Sequence, residues 1–245
     1  MQPELYQLHE RLEDTYWWFV AKNNILLHLI ERIAKPGARV ADIGCGTGGL
    51  LAQLAAKYDA IGVEMDATAR DACARRGLRV LEGHLPDAIP LPDASFDLVV
   101  SSEVVEHVED DRGAVARLAS LLAPGGTLVI TVPAHQWMWS EHDVANHHFR
   151  RYTRAQVRGL IEGTGLEVSL LTYQMVALFP LMAAARFAAK MRGGGNVAAG
   201  AEIKPLPRAV NGVLRRVFEA EKWVTPRVPS PIGGSVLCVA RRSGG

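Results

Sequence analysis

Apolar positions along this chain switch between two periods, and the switches mark out its elements. From residue 2 to residue 34 they recur at helical spacing, through Ile25, Leu26, Leu29, Ile30 and Ile33, with Trp17, Trp18 and Phe19 at the centre. Residues 38–133 alternate short apolar runs with helical patterns, which predicts a parallel sheet covered on both faces. Within that stretch, residues 110–122 predict a helix. Residues 134–152 form a connection too long and too rich in reactive side chains for a simple link. A helix capped by Thr153 follows at 153–163, a strand at 166–173 and a last strand at 235–241.

Between those last two strands lie about 60 residues, far more than a hairpin needs. Residues 175–191 are mostly apolar, are interrupted by Arg186 and Lys190, and fall short of the ~20 residues of a membrane-spanning helix. Gly193, Gly194 and Gly195 form a flexible break. Residues 206–224 read as amphipathic, with Val210, Val213, Leu214, Val217 and Val224 on one face and Arg208, Arg215, Arg216 and Lys222 among the polar positions. The insertion is read as a cap over a ligand site, and its composition also suits peripheral contact with a membrane surface.

The stretch from Val40 to Gly49 carries the most chemistry. Val40-Ala41-Asp42-Ile43 reads as a buried strand, Gly44-Cys45-Gly46-Thr47-Gly48-Gly49 as a glycine loop, and residues 50–57 as a helix. Glycine lets a backbone turn tightly beside a ligand, and a helix start aims free N–H groups at whatever the loop holds. Gly44, Gly46 and Gly49 satisfy the G-x-G-x-x-G dinucleotide pattern, and Glu64 follows about 20 residues on. A nicotinamide-dependent oxidoreductase is therefore the first rival. Asp42 argues against it, because a carboxylate at the loop mouth repels a pyrophosphate. The same carboxylate suits S-adenosylmethionine, which carries an ammonium and a sulfonium.

Asp42-Ile43-Gly44-Cys45-Gly46-Thr47-Gly48 resembles the first motif of class I S-adenosylmethionine-dependent methyltransferases. Ala60-Ile61-Gly62-Val63-Glu64 is similar to their second strand, Ala94-Ser95-Phe96-Asp97-Leu98-Val99-Val100-Ser101 to their fourth, and Leu122-Ala123-Pro124-Gly125-Gly126-Thr127-Leu128-Val129-Ile130 to the turn and fifth. The match covers roughly residues 37 to 175. It implies an α/β fold: a Rossmann-like, seven-stranded, mostly parallel sheet with helices on both faces, whose last strand is antiparallel. The implied division is an N-terminal helical lid at 1–36, the S-adenosylmethionine-binding core at 37–175, a helical cap inserted at 176–232, and the last strand with its tail at 233–245. The resemblance further implies that Asp42 and the backbone of Gly44, Cys45, Gly46 and Gly48 meet the methionine part of the cofactor. Glu64 then takes the ribose hydroxyls, Met65 packs on adenine, and Ser101 lies at the cofactor floor. Where the family often has an acid after the third strand, this chain has Gly83-His84-Leu85.

At 245 residues the chain suffices for one well-cored domain with an appended element. Its net charge of +1 hides an asymmetry. Residues 150–245 hold 15 Lys/Arg against 5 Asp/Glu, and residues 1–149 hold 12 against 21. The basic half suits phosphate, carboxylate or an anionic membrane surface. No continuous basic stripe marks a nucleic-acid partner. Cys45, Cys73 and Cys238 are dispersed, and the N-terminus shows neither a basic region nor an apolar core, so a reduced cytoplasmic protein is expected.

Methyl transfer is an in-line displacement that profits from alignment, and a hydroxyl acceptor must also lose a proton. Histidine suits that task near neutral pH. Residues 134–152 hold His135, His142, His147 and His148 and leave the carboxyl end of a strand, where open α/β sheets place their sites. His147 is the first choice for general base and His148 the second. Ubiquinone-type O-methyltransferases are similar, with a histidine before an aromatic residue and a Thr-led helix; this chain adds Arg150 and Arg151. His107, in Glu103-Val104-Val105-Glu106-His107, is a third candidate. Trp17, Trp18, His135, Trp139, Arg150, Arg151 and Tyr152 are the expected acceptor-binding residues. His135, His142, Asp143, His147 and His148 contain enough ligands for an ion, but their spacing matches no structural zinc motif, so no metal is expected.

These readings converge on transfer of a methyl group to a small or lipid-linked acceptor with an acidic and a hydrophobic part, by O-methylation with a histidine base. N- or C-methylation of a small metabolite and a non-catalytic S-adenosylmethionine-binding module remain the alternatives. Oligomeric state is not legible.

Overall fold

Seven strands form one sheet: β1 (Arg39–Ile43), β2 (Asp59–Glu64), β3 (Val80–Glu82), β4 (Phe96–Ser102), β5 (Leu122–Pro133), β6 (Glu167–Gln174) and β7 (Ser235–Arg241). The computed structural model describes residues 3–191, 206–225 and 228–244. The strand order is β3-β2-β1-β4-β5-β7-β6. Strands β1 to β5 run parallel, and β7 runs antiparallel to both β5 and β6. The expected Rossmann-like, mostly parallel sheet is thus observed. From β1 the chain builds outward to β2 and β3, then returns to place β4 on the other side of β1. That reversal makes a crevice at the strands' carboxyl ends, where such sheets bind ligands.

Alternation along each strand sends neighbouring residues to opposite faces. Val40, Leu98, Val100 and Val129 pack on one face with Leu26, Leu29 and Ile30 of α2 (Trp17–Ile33) and with Leu50, Leu51 and Leu54 of α3 (Gly49–Ala55). Ala41, Val99, Leu128 and Ile130 pack on the other with Val115 and Leu118 of α5 (Asp111–Ser120) and Val157, Leu160 and Ile161 of α7 (Arg154–Glu162). Helix α4 (Ala67–Arg75) follows β2. Helix α7 starts as expected at Thr153, in a capping box with Gln156.

The N-terminal helical stretch is two helices. Helix α1 (Pro3–Leu12) stops before α2, with a turn in which the Tyr16 N–H returns to Leu12 O at 2.7 Å. The cause is long-range. Glu13 turns inward to accept from Gly49 N at 2.9 Å, and Asn211 accepts from Trp17 N at 2.9 Å while donating to Thr15 O at 2.9 Å. The inserted cap therefore caps the start of α2, whose own N-cap residue Tyr16 makes no side-chain bond.

In the cap, α8 (Phe179–Met191) and α9 (Arg208–Glu219) follow the expected apolar and amphipathic segments. Glu221, buried, accepts from the N–H groups of Met175, Val176 and Ala177 and holds the crossing out of β6. The buried edge of α9 differs from the expected one. Phe218 is buried and Leu214 packs with it against Ala21, Ile25, Met175 and Leu178, whereas Val210, Val213, Val217 and Val224 are exposed. Helix α2 runs along the Leu214–Phe218 edge, fixed there by Asn211. The glycine break at 193–195 lies outside the described residues. Among those residues, no helix is long and apolar enough to cross a membrane.

Gly62 in β2 is required by space. A Cβ there would meet Cys45 Sγ at 2.6 Å and Leu51 Cδ2 at 2.7 Å. Gly62→Ala is therefore expected to cost about 2 kcal/mol by overpacking, read as a fall in melting temperature of roughly 4–8 °C. An unchanged melting curve would contradict this packing.

Candidate active site at the strand ends

A cavity of about 1110 Å³ opens at the carboxyl ends of the central strands. The glycine loop and β2 supply one part of its wall, with Asp42, Gly44, Cys45, Gly46, Glu64 and Met65. The segment after β4 and the long connection after β5 supply another, with Glu103, Glu106, His107, His142, His147 and His148. Trp17, Trp18 and Lys22 of α2 and Met182 and Arg186 of α8 close it over.

The loop backbone is in left-handed conformations at Gly44, Gly46 and Gly48, with φ of 76°, 55° and 93°. A Cβ at Gly44 would lie 2.5 Å from Val104 Cγ2. Both sign and space demand glycine there. The Gly46 N–H donates to Glu64 Oε2 at 3.0 Å and the Asp66 N–H to Glu64 Oε1 at 2.9 Å, so both Glu64 oxygens are held at the loop. Glu13 clamps the same loop from the α1–α2 corner and is itself held by Arg76 at 2.5 Å. Asp42 is buried, and its Oδ2 makes no hydrogen bond within the described residues. Burial, opposed by the charge of Lys22, pushes its pKa up to about 7. Met65 is 65% exposed on the cavity wall. Ser101 is fully buried in β4, with Oγ unbonded among the described residues.

The histidine-rich wall depends on one buried carboxylate. Helix α6 (Glu141–Ala145) starts at Ser140, where Asp143 Oδ2 accepts from Ser140 N at 2.9 Å. Asp143 also takes Arg151 through two bonds, Nε to Oδ1 at 2.7 Å and Nη2 to Oδ2 at 3.0 Å, and His148 Nδ1 at 2.9 Å. Burial acts to raise the pKa of Asp143, but the bonds from His148 and Arg151 outweigh it and hold the carboxyl well below its usual range. His147 has a φ of 57°, a left-handed conformation rare outside glycine. In extended chain, consecutive side chains point apart; this kink lets His147 and His148 both face the cavity. His107 packs edge-on to His148, ring centroids 4.6 Å apart, and burial lowers its pKa to about 3. Burial lowers His142 to about 4. Both imidazoles are neutral near pH 7.

The expected site residues divide by placement. Trp17, Trp18, His107, His147, His148 and Arg151 line the cavity together with Asp42, Gly44, Cys45, Gly46, Glu64 and Met65. Gly48, which faces Leu78 and Cys73, and Ser101, fully buried in β4, lie outside the lining, contrary to expectation. His135, Trp139, Arg150 and Tyr152 lie outside the lining. His135 stacks on Tyr173 at 4.9 Å, and Arg150 and Tyr152 both engage Asp111. Arg151 is occupied by Asp143. The cation that faces the cavity from the cap is Arg186, whose pKa is lowered chiefly by burial. Glu103, Glu106, Glu13, Lys22 and Arg186 were missed as site residues. The Glu103-Val104-Val105-Glu106-His107 run, with two acids beside a histidine at a strand end, was the available signal.

A family model described as a methyltransferase domain matches residues 17–171. A probable S-adenosylmethionine-dependent methyltransferase of Mycolicibacterium smegmatis is 32% identical over 164 residues, 64% of this chain and 62% of its own. A ubiquinone biosynthesis O-methyltransferase of Xanthomonas campestris is 36% identical over 113 residues, 42% of this chain and 46% of its own. The chain thus spans about half to three-fifths of the length of these curated relatives. Among solved structures, a putative methyltransferase in complex with a Haloferax volcanii methyltransferase activator superposes with a TM-score of 0.63 at 20% identity, over 99% of this chain and 96% of that one. A Haemonchus contortus phosphoethanolamine N-methyltransferase in complex with S-adenosyl-L-methionine gives 0.58 at 19% identity, over 90% and 52%. At such identities the likeness shows the fold alone.

Asp143→Ala leaves Arg151 buried without its counter-charge, which costs about 3–5 kcal/mol near pH 7. Because the folded pKa of Asp143 is depressed, its contribution is complete above the usual carboxylate range and is lost as pH falls toward the folded value. Melting curves of parent and variant should differ by a constant gap near neutral pH, a gap that shrinks progressively as pH falls below about 4. A gap that does not shrink with acid would contradict the pairing.

Proposed function

The chain belongs to the methyltransferase domain family, with the class I S-adenosylmethionine-dependent fold, and on that premise we propose that it methylates an oxygen of a small acceptor bearing an anionic and a hydrophobic part. The observation that carries the reading is the single cavity joining the Asp42 and Glu64 wall to the His107, His147 and His148 wall. The residues fit the cofactor. A buried carboxylate with an unbonded oxygen, Asp42, suits an ammonium, and the open space beside Gly46 admits a ligand against the loop backbone. When bound, S-adenosylmethionine supplies an electrophilic methyl group on a sulfonium.

His147 takes the acceptor's hydroxyl proton at a ring nitrogen. It lines the cavity yet is exposed, so the proton passes on to water. Trp17, Trp18 and Met182 give the acceptor an apolar berth. Arg186 binds its anionic part, in the role first expected of Arg150 and Arg151. A further part of the proposal is peripheral contact with a membrane. Leu181, Phe187 and Met191 of α8 and Val210, Val213 and Val217 of α9 are exposed apolar side chains on the cap, which suits an acceptor delivered from a lipid surface.

Incubation with methyl-labelled S-adenosylmethionine and fractionated lipid and polar extracts tests the reading. Label is expected in an anionic, base-stable methyl ether. With that acceptor, Arg186→Ala should raise KM by about tenfold, the value of one charge-assisted bond, and His147→Ala should lower kcat by about a hundredfold or more. Cofactor affinity should be unchanged in both. Label in no fraction, or an unaltered KM, would contradict the proposal.

A further inference from the structure

Gly49, the third glycine of the loop pattern, has an ordinary backbone conformation, so no turn requires glycine there. Space does. A Cβ at Gly49 would lie 2.5 Å from Glu13 Oε2 and 3.3 Å from Asn23 Nδ2. Glycine is needed at this position to admit the N-terminal helices. Glu13 is buried at the corner between α1 and α2, with one oxygen on Gly49 N at 2.9 Å and the other on Arg76 Nη2 at 2.5 Å. Arg76 closes α4, the helix that follows Glu64 on β2. The glycine loop, the N-terminal helices and α4 therefore meet at one carboxylate. The neighbouring pairs, Arg76 with Asp14 at 3.0 Å and Arg75 with Glu10 at 2.7 Å, reach into solvent and are worth little alone. The buried pair carries the attachment.

We propose that Glu13 is a positioning residue for the cofactor: it makes the docking of α1 and α2 and the shape of the glycine loop one event. Two carboxylates anchor the loop backbone. Glu64 holds Gly46 N from the core, and Glu13 holds Gly49 N from the N-terminal helices. When the corner lifts, the loop loses its second anchor. Tyr6 and His9 of α1 and Trp18 and Lys22 of α2 leave the cavity wall in the same movement. S-adenosylmethionine then finds neither the loop nor the wall in place. Its apparent affinity falls in proportion to the fraction of molecules with the corner docked. By reciprocity, the bound cofactor holds the helices down. The inference rests on the cofactor assignment given above and adds how the site is assembled.

The test is a double-mutant cycle on the whole chain with Glu13→Gln, Arg76→Gln and the two together. Affinity for S-adenosylmethionine is read by calorimetry. Amide exchange over α1 and the first turns of α2 is read with and without cofactor. Arg76 lies outside the cavity lining, so its substitution removes no cofactor contact. Glu13→Gln keeps the size of the side chain and an acceptor for Gly49 N, and melting curves establish that each variant is folded.

Each single substitution should weaken S-adenosylmethionine about tenfold, the value of one charge-assisted bond. The double variant should lose clearly less than the product of the two, because both break the same pair. Cofactor should slow exchange over α1 and the start of α2 in the parent, and the variants without cofactor should exchange faster there than the parent. Unchanged affinity in Arg76→Gln, or losses that simply multiply in the double variant, overturns the coupling. Tight binding in the parent with exchange indifferent to cofactor overturns it too and leaves the cofactor assignment standing. A parent that binds no S-adenosylmethionine overturns the cofactor assignment and the coupling with it.

Discussion

The structure is organised around carboxylates taken out of water at the ends of a parallel sheet. Glu13, Asp42, Glu64, Glu106 and Asp143 are all buried there. Each must be compensated or held protonated, because an isolated buried charge is far too costly to keep. Glu13 is answered by Arg76 and the Gly49 N–H, Glu64 by two backbone N–H groups, and Asp143 by Arg151, His148 and Ser140. These three bind the lid, the glycine loop and the histidine connection to the core. Asp42 and Glu106 keep oxygens with no partner. The answered acids tie the site together, burial pushes the Glu106 carboxyl up, and Asp42, on the cavity wall with an oxygen unbonded, is the acid left open beside the glycine loop.

The same logic connects the peripheral elements to the chemistry. The cap does not merely cover the cavity. Asn211 completes the first turn of α2, and Glu221 holds the exit from β6 through three N–H groups. Helix α2 in turn presents Trp17, Trp18 and Lys22 to the cavity. Non-glycine residues in left-handed conformations, Glu103, His147 and Met175, gather on this wall. Such strain persists where surrounding contacts over-determine it, and it tends to mark functional sites.

Much of the fold was legible because it follows period and capping. Strand β7 occupies the predicted residues 235–241, and Thr153 caps α7 as its capping box required. The antiparallel direction of β7 came from family resemblance, and its place between β5 and β6 was not read at all, since no local pattern encodes strand order. The break at residues 13–16 was not legible, because its causes are Gly49 and Asn211, 36 and 194–196 residues away. The buried edge of α9 was misread for a related reason: its hydrophobic stripe is wider than the surface α2 offers, so Val210, Val213 and Val217 stay outside. Arg150 and Arg151 looked free in the sequence, yet Asp111 and Asp143 claim them. Glu106 went unmarked because its burial is set by long-range packing that no local pattern encodes.

The central claim is that Asp42 is an unanswered carboxylate reserved for a cationic cofactor. Its pKa of about 7 makes the claim measurable, because the ionised form alone can pair with an ammonium. The decisive measurement is calorimetric titration of S-adenosylmethionine, with NAD as control, into the parent and Asp42→Asn at about pH 8 and about pH 6. The account predicts binding of S-adenosylmethionine and not NAD, an affinity about tenfold weaker in the parent at the lower pH, and weak, pH-independent binding in Asp42→Asn. Binding of NAD, or equal and pH-independent affinity for S-adenosylmethionine in both proteins, would contradict it.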